Sequence, residues 1–196
     1  FENIDVPPTL VSFAIGAINA EKVITPEFKG ANHHVYIIRP QYDENKLLDF
    51  DNLKANFDTI SGLINDGKVL AAQALGMGGT AEAICKMAFG NEIGFRFADD
   101  KDVFAQCYGA VILETAEPLT ADVNAQLIGE TISQKAIIIN GEEIAIADLT
   151  TAWSKTLEPV YPTKAAEKAG KAEIYSFATR SALKPAVSVA KPRVLL

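Results

Sequence analysis

The sequence predicts an α/β fold, a mixed β-sheet with helices packed against it. Three observations carry this. Short β-rich runs alternate with stretches whose apolar residues recur at helical spacing. Glycine, proline and asparagine punctuate the runs at their ends. The chain of 196 residues is 48% hydrophobic and 22% charged, a balance that suits one folded domain with short appendages. Apolar runs such as residues 110–113 or 137–139 fall far short of the ~20 residues of a membrane span.

The elements follow in order. Residues 6–8 (VPP) force an extended start, and residues 9–16 (TLVSFAIG) read as a strand covered on both faces. Residues 34–39 (HVYIIR) form the next strand, stopped by Pro40. Capping residues at 49–51 precede a helix whose face carries Leu53, Phe57, Ile60 and Ile64, ending at Gly67. Residues 68–74 (KVLAAQA) fit a buried strand. Residues 80–89 then place Ala81, Ile84, Cys85 and Ala88 on one helical face, closed by Gly90 and Asn91. Residues 93–97 and 104–114 are strand-like, the second being the longest β candidate. Residues 125–132, 136–139 and 143–147 add three short strands, with a hairpin turn at Asn140 and Gly141. Asp148 is placed to cap a last helix over residues 149–157, ended by Pro159. Beyond Pro162, small residues and lysines dominate. Residues 176–183 read as a segment ordered against a neighbour, and residues 193–196 (RVLL) as an opening strand.

Charge narrows the function classes. Residues 162–196 carry a net +5, whereas residues 1–161 carry −12. An acidic body argues against nucleic-acid binding, which needs a basic face to displace counterions. The basic tail lacks interleaved aromatics and reads as a solvated linker. Cys85 and Cys107 sit in apolar stretches without CxxC spacing and read as buried, reduced thiols of a cytoplasmic protein. His33 and His34 are adjacent, so on a strand they face opposite ways and share no metal or proton. Asp99, Asp100 and Asp102, and the loop at residues 43–45, are acidic enough to meet Mg²⁺ but read as solvated loops. Met77 and Met87 read as packing residues. No catalytic triad and no metal cluster suggests itself. The chain starts at Phe1 without Met and reads as a portion of a longer polypeptide.

The most informative local feature is residues 74–81 (ALGMGGTA), between a strand and a helix. Glycines allow close backbone approach, and a helix N-terminus offers free N–H groups and a positive dipole end. That combination suits a phosphate or carboxylate, with Gly76, Gly78, Gly79 and Thr80 as the substrate- or phosphate-binding candidates. The spacing matches neither the dinucleotide fingerprint nor the P-loop, so a tight packing turn stands as the other reading. Glu82 follows in the first helical turn, where a carboxylate favours the dipole.

At residues 6–18 (VPPTLVSFAIGAI) and 78–95 (GGTAEAICKMAFGNEIGF), the chain resembles phosphoribosylformylglycinamidine synthase in its large single-chain form. More narrowly, it resembles the second domain related to the C-terminal domain of aminoimidazole ribonucleotide synthetase, just ahead of the glutaminase domain. The resemblance implies a three-part division. Residues 1–29, with VITPEFK at 23–29, would be the end of the preceding nucleotide-binding domain and its crossover. Residues 30–161 would be the C-terminal-type α/β domain. Residues 162–196, ending KPRVLL, would be a linker to the glutaminase domain.

The same resemblance implies an ATP-dependent C–N ligase with glutamine as amide donor, using Mg²⁺. Formylglycinamide ribonucleotide, ATP and glutamine would give the amidine, ADP, phosphate and glutamate. This domain would bind no cofactor alone and would complete a small-molecule cleft with the other domains of its polypeptide. Its uncovered sheet would favour self-association of the isolated chain. The alternative is a non-catalytic scaffold that positions the glutaminase and synthetase domains.

One departure bears on this. Relatives carry a pattern like Asp-x-Ser-Asp-Gly-Gly at the turn. Placed on Gly78 and Gly79, its acids become Ala74 and Met77 and its serine becomes Gly76. That removes oxygens suited to a hard cation and leaves backbone phosphate contact. A Gly79→Val change is then expected to weaken substrate binding with the fold intact.

Overall fold

The computed structural model describes residues 5, 8–98 and 102–164. By its contacts the chain divides into Phe1–Tyr161 and Pro162–Leu196, and every element below lies in the first unit. The expectations for residues 6–7, 99–101, 176–183 and 193–196 fall outside the described residues.

Seven strands form one mixed sheet: β1 His34–Ile38, β2 Ala71–Ala74, β3 Gly94–Phe97, β4 Val111–Thr115, β5 Gln126–Ile132, β6 Ala136–Ile139 and β7 Glu142–Ala145. Their order is β2-β4-β1-β5-β3-β6-β7. All neighbours run antiparallel except β3 and β6, which are parallel. The hairpin between β6 and β7 turns on Asn140 and Gly141, both at positive φ (53° and 79°), as the primed two-residue turns require.

Three helices pack on the sheet. Helix α1 (Phe50–Asn65) begins where Asp49 accepts the Asn52 N–H. With β1, β2 and β4 it builds one apolar cluster around Ile38, Ile60, Leu63, Val69 and Leu113. Helices α2 (Gly79–Phe89) and α3 (Ile146–Lys155) serve a second, larger cluster that includes Val35, Ile84, Met87, Phe95, Ile112 and Ile146. Along β1 the side chains alternate between the two clusters, so the sheet has apolar packing on both faces.

Several sequence expectations shift. Residues 9–16 form no strand, and Leu10, Val11, Phe13 and Ile15 are exposed. An apolar run becomes a buried strand only beside a ladder partner, and this segment has none among the described residues. Residues 104–114 yield strand only from Val111; Phe104 is exposed, and the chain turns at residues 102–104 and 108–109. On α1 the buried stripe is Asn56, Ile60 and Leu63, while Phe57 lies outward. Asn56 can be buried because its amide donates to the Arg39 carbonyl. Helix α3 starts at Ile146 with Ala145 as N-cap, and Asp148 sits inside its first turn. Met87 is fully buried, but Met77 is exposed. Both cysteines are free and half-buried, with burial pushing the Cys85 thiol up. Among the described residues no helix is long and apolar enough to cross a membrane.

Candidate functional site

The glycine-rich turn lies between β2 and α2, and the structure brings Gly76, Gly78, Gly79 and Thr80 together there. Much of its hydrogen-bonding capacity is spent internally. The Glu82 side chain folds back so that its Oε2 accepts the Gly78 N–H at 2.7 Å. Its other oxygen is 2.5 Å from the Lys86 ammonium one turn on. Lys86 first, and then the Gly78 N–H, hold the Glu82 carboxyl below its ordinary value. The Glu82 N–H returns to the Gly78 carbonyl at 3.3 Å. A carboxylate of the chain itself therefore stands where the dipole favours an anion. The sequence supplied Glu82 in the first helical turn; only the fold shows it turned back on the glycines.

Gly79 and Thr80 have a second employment. The loop after residue 102 crosses the N-terminus of α2. There the Val103 carbonyl accepts both the Ala81 N–H (2.9 Å) and the Thr80 hydroxyl (3.0 Å). Thr80 is buried. Gly79 has φ +66°, and a Cβ there would lie 2.6 Å from the Val103 oxygen and 2.7 Å from that of Ala105. Both contacts are with backbone, which cannot swing aside. Gly79→Val is thus a packing lesion, and the expectation of an intact fold for that variant is corrected.

Beside the turn runs an open groove of about 360 Å³, almost wholly apolar, whose walls include Ala81, Phe97, Phe104, Ile137, Ile144 and Leu149. Gly78 and Glu82 form its polar corner. The residues at the turn do not suit a magnesium ion. Ala74 and Met77 offer no side-chain oxygen, and no group of three His, Cys, Asp or Glu among the described residues could hold a metal. Asp43 spends its Oδ1 on the Asn45 and Leu47 N–H groups, closing its own loop.

The two histidines separate as their adjacency requires. His34 packs its ring near Tyr36, at 6.4 Å between centroids. His33 meets Glu114, with Nδ1 2.7 Å from Oε1. Sequence reading did not single out Glu114. Its only signal was a carboxylate at the end of an otherwise apolar run, VILE.

The architecture has known counterparts. Phosphoribosylformylglycinamidine synthase II from Thermotoga maritima superposes with a TM-score of 0.55 at 14% identity, over 82% of this chain and 31% of that one. The fold is shared with that synthase. T. maritima PurL complexed with FGAR matches at 0.55 and 11% identity, over 81% of this chain and 33% of that one. The same protein complexed with ATP matches at 0.53 and 13%, over 84% and 32% respectively. The chain thus spans about a third of the length of these structures. No family model matches the sequence, and no curated protein does. The resemblance drawn from residues 6–18 and 78–95 therefore holds for the fold.

Proposed function

We propose that this chain is a C-terminal-type domain of a phosphoribosylformylglycinamidine-synthase-like enzyme, and that it works as a scaffold beside the synthetase and glutaminase domains. The enzyme would be cytoplasmic. It would convert formylglycinamide ribonucleotide, ATP and glutamine to the amidine, ADP, phosphate and glutamate. The likeness to the T. maritima synthase over four-fifths of the chain supports the domain assignment. The scaffold role rests on one observation: the Gly78 N–H already binds the chain's own Glu82 carboxylate. Partners would be the other domains of the same polypeptide, met through exposed apolar residues such as Leu10, Phe13 and Phe104.

A second reading keeps Gly76, Gly78, Gly79 and Thr80 as contacts to a phosphate of substrate or nucleotide, with Glu82 swung away. Its support is that the Gly78 N–H donates to a carboxylate oxygen, that of Glu82, at 2.7 Å. One experiment tests the assignment and separates the readings. The rest of the synthase, deprived of this segment, is assayed for ammonia-dependent amidine formation with this chain added in trans. Rescue is expected; its failure overturns the domain assignment. With Glu82→Gln, unchanged KM values for FGAR and ATP uphold the scaffold, whereas a lowered KM for either selects the phosphate reading.

A further inference from the structure

Away from the glycine turn, one polar cluster is buried more deeply than any other described. Its centre is Glu114 in β4, which has no solvent exposure. It stands in register with Val35 of β1 and Ala71 of β2, in the middle of an apolar sheet. Its carboxylate is spent on one stretch of chain, residues 25–33, which straps across the sheet before β1. The Lys29 N–H reaches both oxygens, at 2.9 and 3.0 Å, and the Gly30 N–H reaches Oε1 at 3.3 Å. His33 Nδ1 lies 2.7 Å away. A carboxylate there accepts a hydrogen, so His33 donates to it from Nδ1.

The strap has two other fastenings, and neither depends on charge. At one end the Phe28 N–H donates to the Met87 carbonyl at 2.9 Å. The Asn91 amide donates to the Phe28 carbonyl at 2.8 Å, and the Phe28 ring stacks on Phe95. At the other end Thr131 of β5 accepts the His33 N–H on its hydroxyl and the Asn32 N–H on its carbonyl, and its own N–H donates to the His33 carbonyl. Between them, Lys29 and Gly30 are held by Glu114. The ionisable groups around the carboxylate are few. The strap contributes His33, and Lys29 with Glu27, an ammonium–carboxylate pair closed on itself at 2.6 Å. The flanking strands β2 and β1 set Ala71 and Val35 opposite it, and Thr131 of β5 meets the strap; none of the three ionises.

We propose that Glu114 is a charge-dependent latch, and that Lys29 and Gly30 come away from it when its charge is removed, while the two charge-independent fastenings of the strap and the sheet stay closed. The Lys29 and Gly30 N–H groups can only donate and between them engage both oxygens, so a neutral group, which keeps one good acceptor oxygen and turns an O–H or N–H outward on the other, holds them less well. The latch stands whether or not the domain assignment does.

Amide hydrogen exchange on the full chain tests it. Glu114→Gln keeps the shape of the side chain and removes its charge. Exchange at Lys29 and Gly30 is expected to accelerate about tenfold or more, with Ile37 and Leu113 in the ladder within twofold of wild type. Unchanged protection at Lys29 and Gly30, or loss of protection at all four together, overturns the latch. Should Glu114→Gln fail to fold, His33→Phe carries the test. It removes the ring donor alone, and a smaller acceleration confined to Lys29 and Gly30 is expected. None at those two amides, or equal acceleration in the ladder, refutes the proposal.

Discussion

Glu82 and Glu114 both accept backbone N–H groups, and they differ in what surrounds them. Glu82 caps a glycine turn at the surface, its side chain about a third exposed and shared with Lys86. Glu114 lies under a strap with no exposure, and its bonds to Lys29, Gly30 and His33 are part-buried. Bond lengths hardly distinguish the two sites. The cost of losing the carboxylate does, because an exposed donor finds water whereas a buried one is orphaned.

Three substitutions sharpen that contrast. The largest effect is expected for Glu114→Ala. It takes the acceptor from two N–H groups and the His33 ring, at a cost on the order of 3 kcal/mol, read as a fall in the urea midpoint. A loss below about 1 kcal/mol would place the two carboxylates in one class. Next comes Gly79→Ala, which sets a Cβ at positive φ against the Val103 and Ala105 carbonyls. Roughly 1–3 kcal/mol of destabilisation is expected, again by urea titration. A neutral outcome would mean that the loop after residue 102 yields.

The smallest effect belongs to Glu82→Gln, a few tenths of a kcal/mol after solvent screening. Its sign with pH follows from the lowered carboxyl value. The contribution is complete above the ordinary value of 4.5 and is lost as pH falls through the depressed folded value. Thermal melts of wild type and Glu82→Gln should therefore differ slightly at pH 7 and converge in acid. A difference that widens in acid would contradict the bonding at Gly78.

Much of the fold was legible because local rules and tertiary packing agree there. The Asp49 cap, the Asn140–Gly141 hairpin and the strand cores at 34–38 and 136–139 each satisfy turn chemistry and apolar pattern together. Residues 9–16 were misread for the complementary reason. Their pattern states only that they tolerate burial, and a strand also needs a neighbour. The glycine turn was legible as an unusual backbone, but not its use. Sequence spacing puts Glu82 in the first turn of α2. Only side-chain geometry shows it on the Gly78 N–H, and only the crossing of Val103 explains Gly79.

The sequence by itself determined the mixed α/β class, three helical stretches, the hairpin at Asn140 and Gly141, and the absence of acids at Ala74 and Met77. Those are consequences of periodicity, turn conformation and side-chain chemistry, which act over a few residues. The tertiary structure alone decided the strand order, the exposure of residues 9–16, the closure of the glycine turn and the burial of Glu114 beneath residues 25–33. Each depends on groups far apart in the chain, such as Lys29 and Glu114 or Gly79 and Val103. A bond between such groups forms only when the sheet has brought them together.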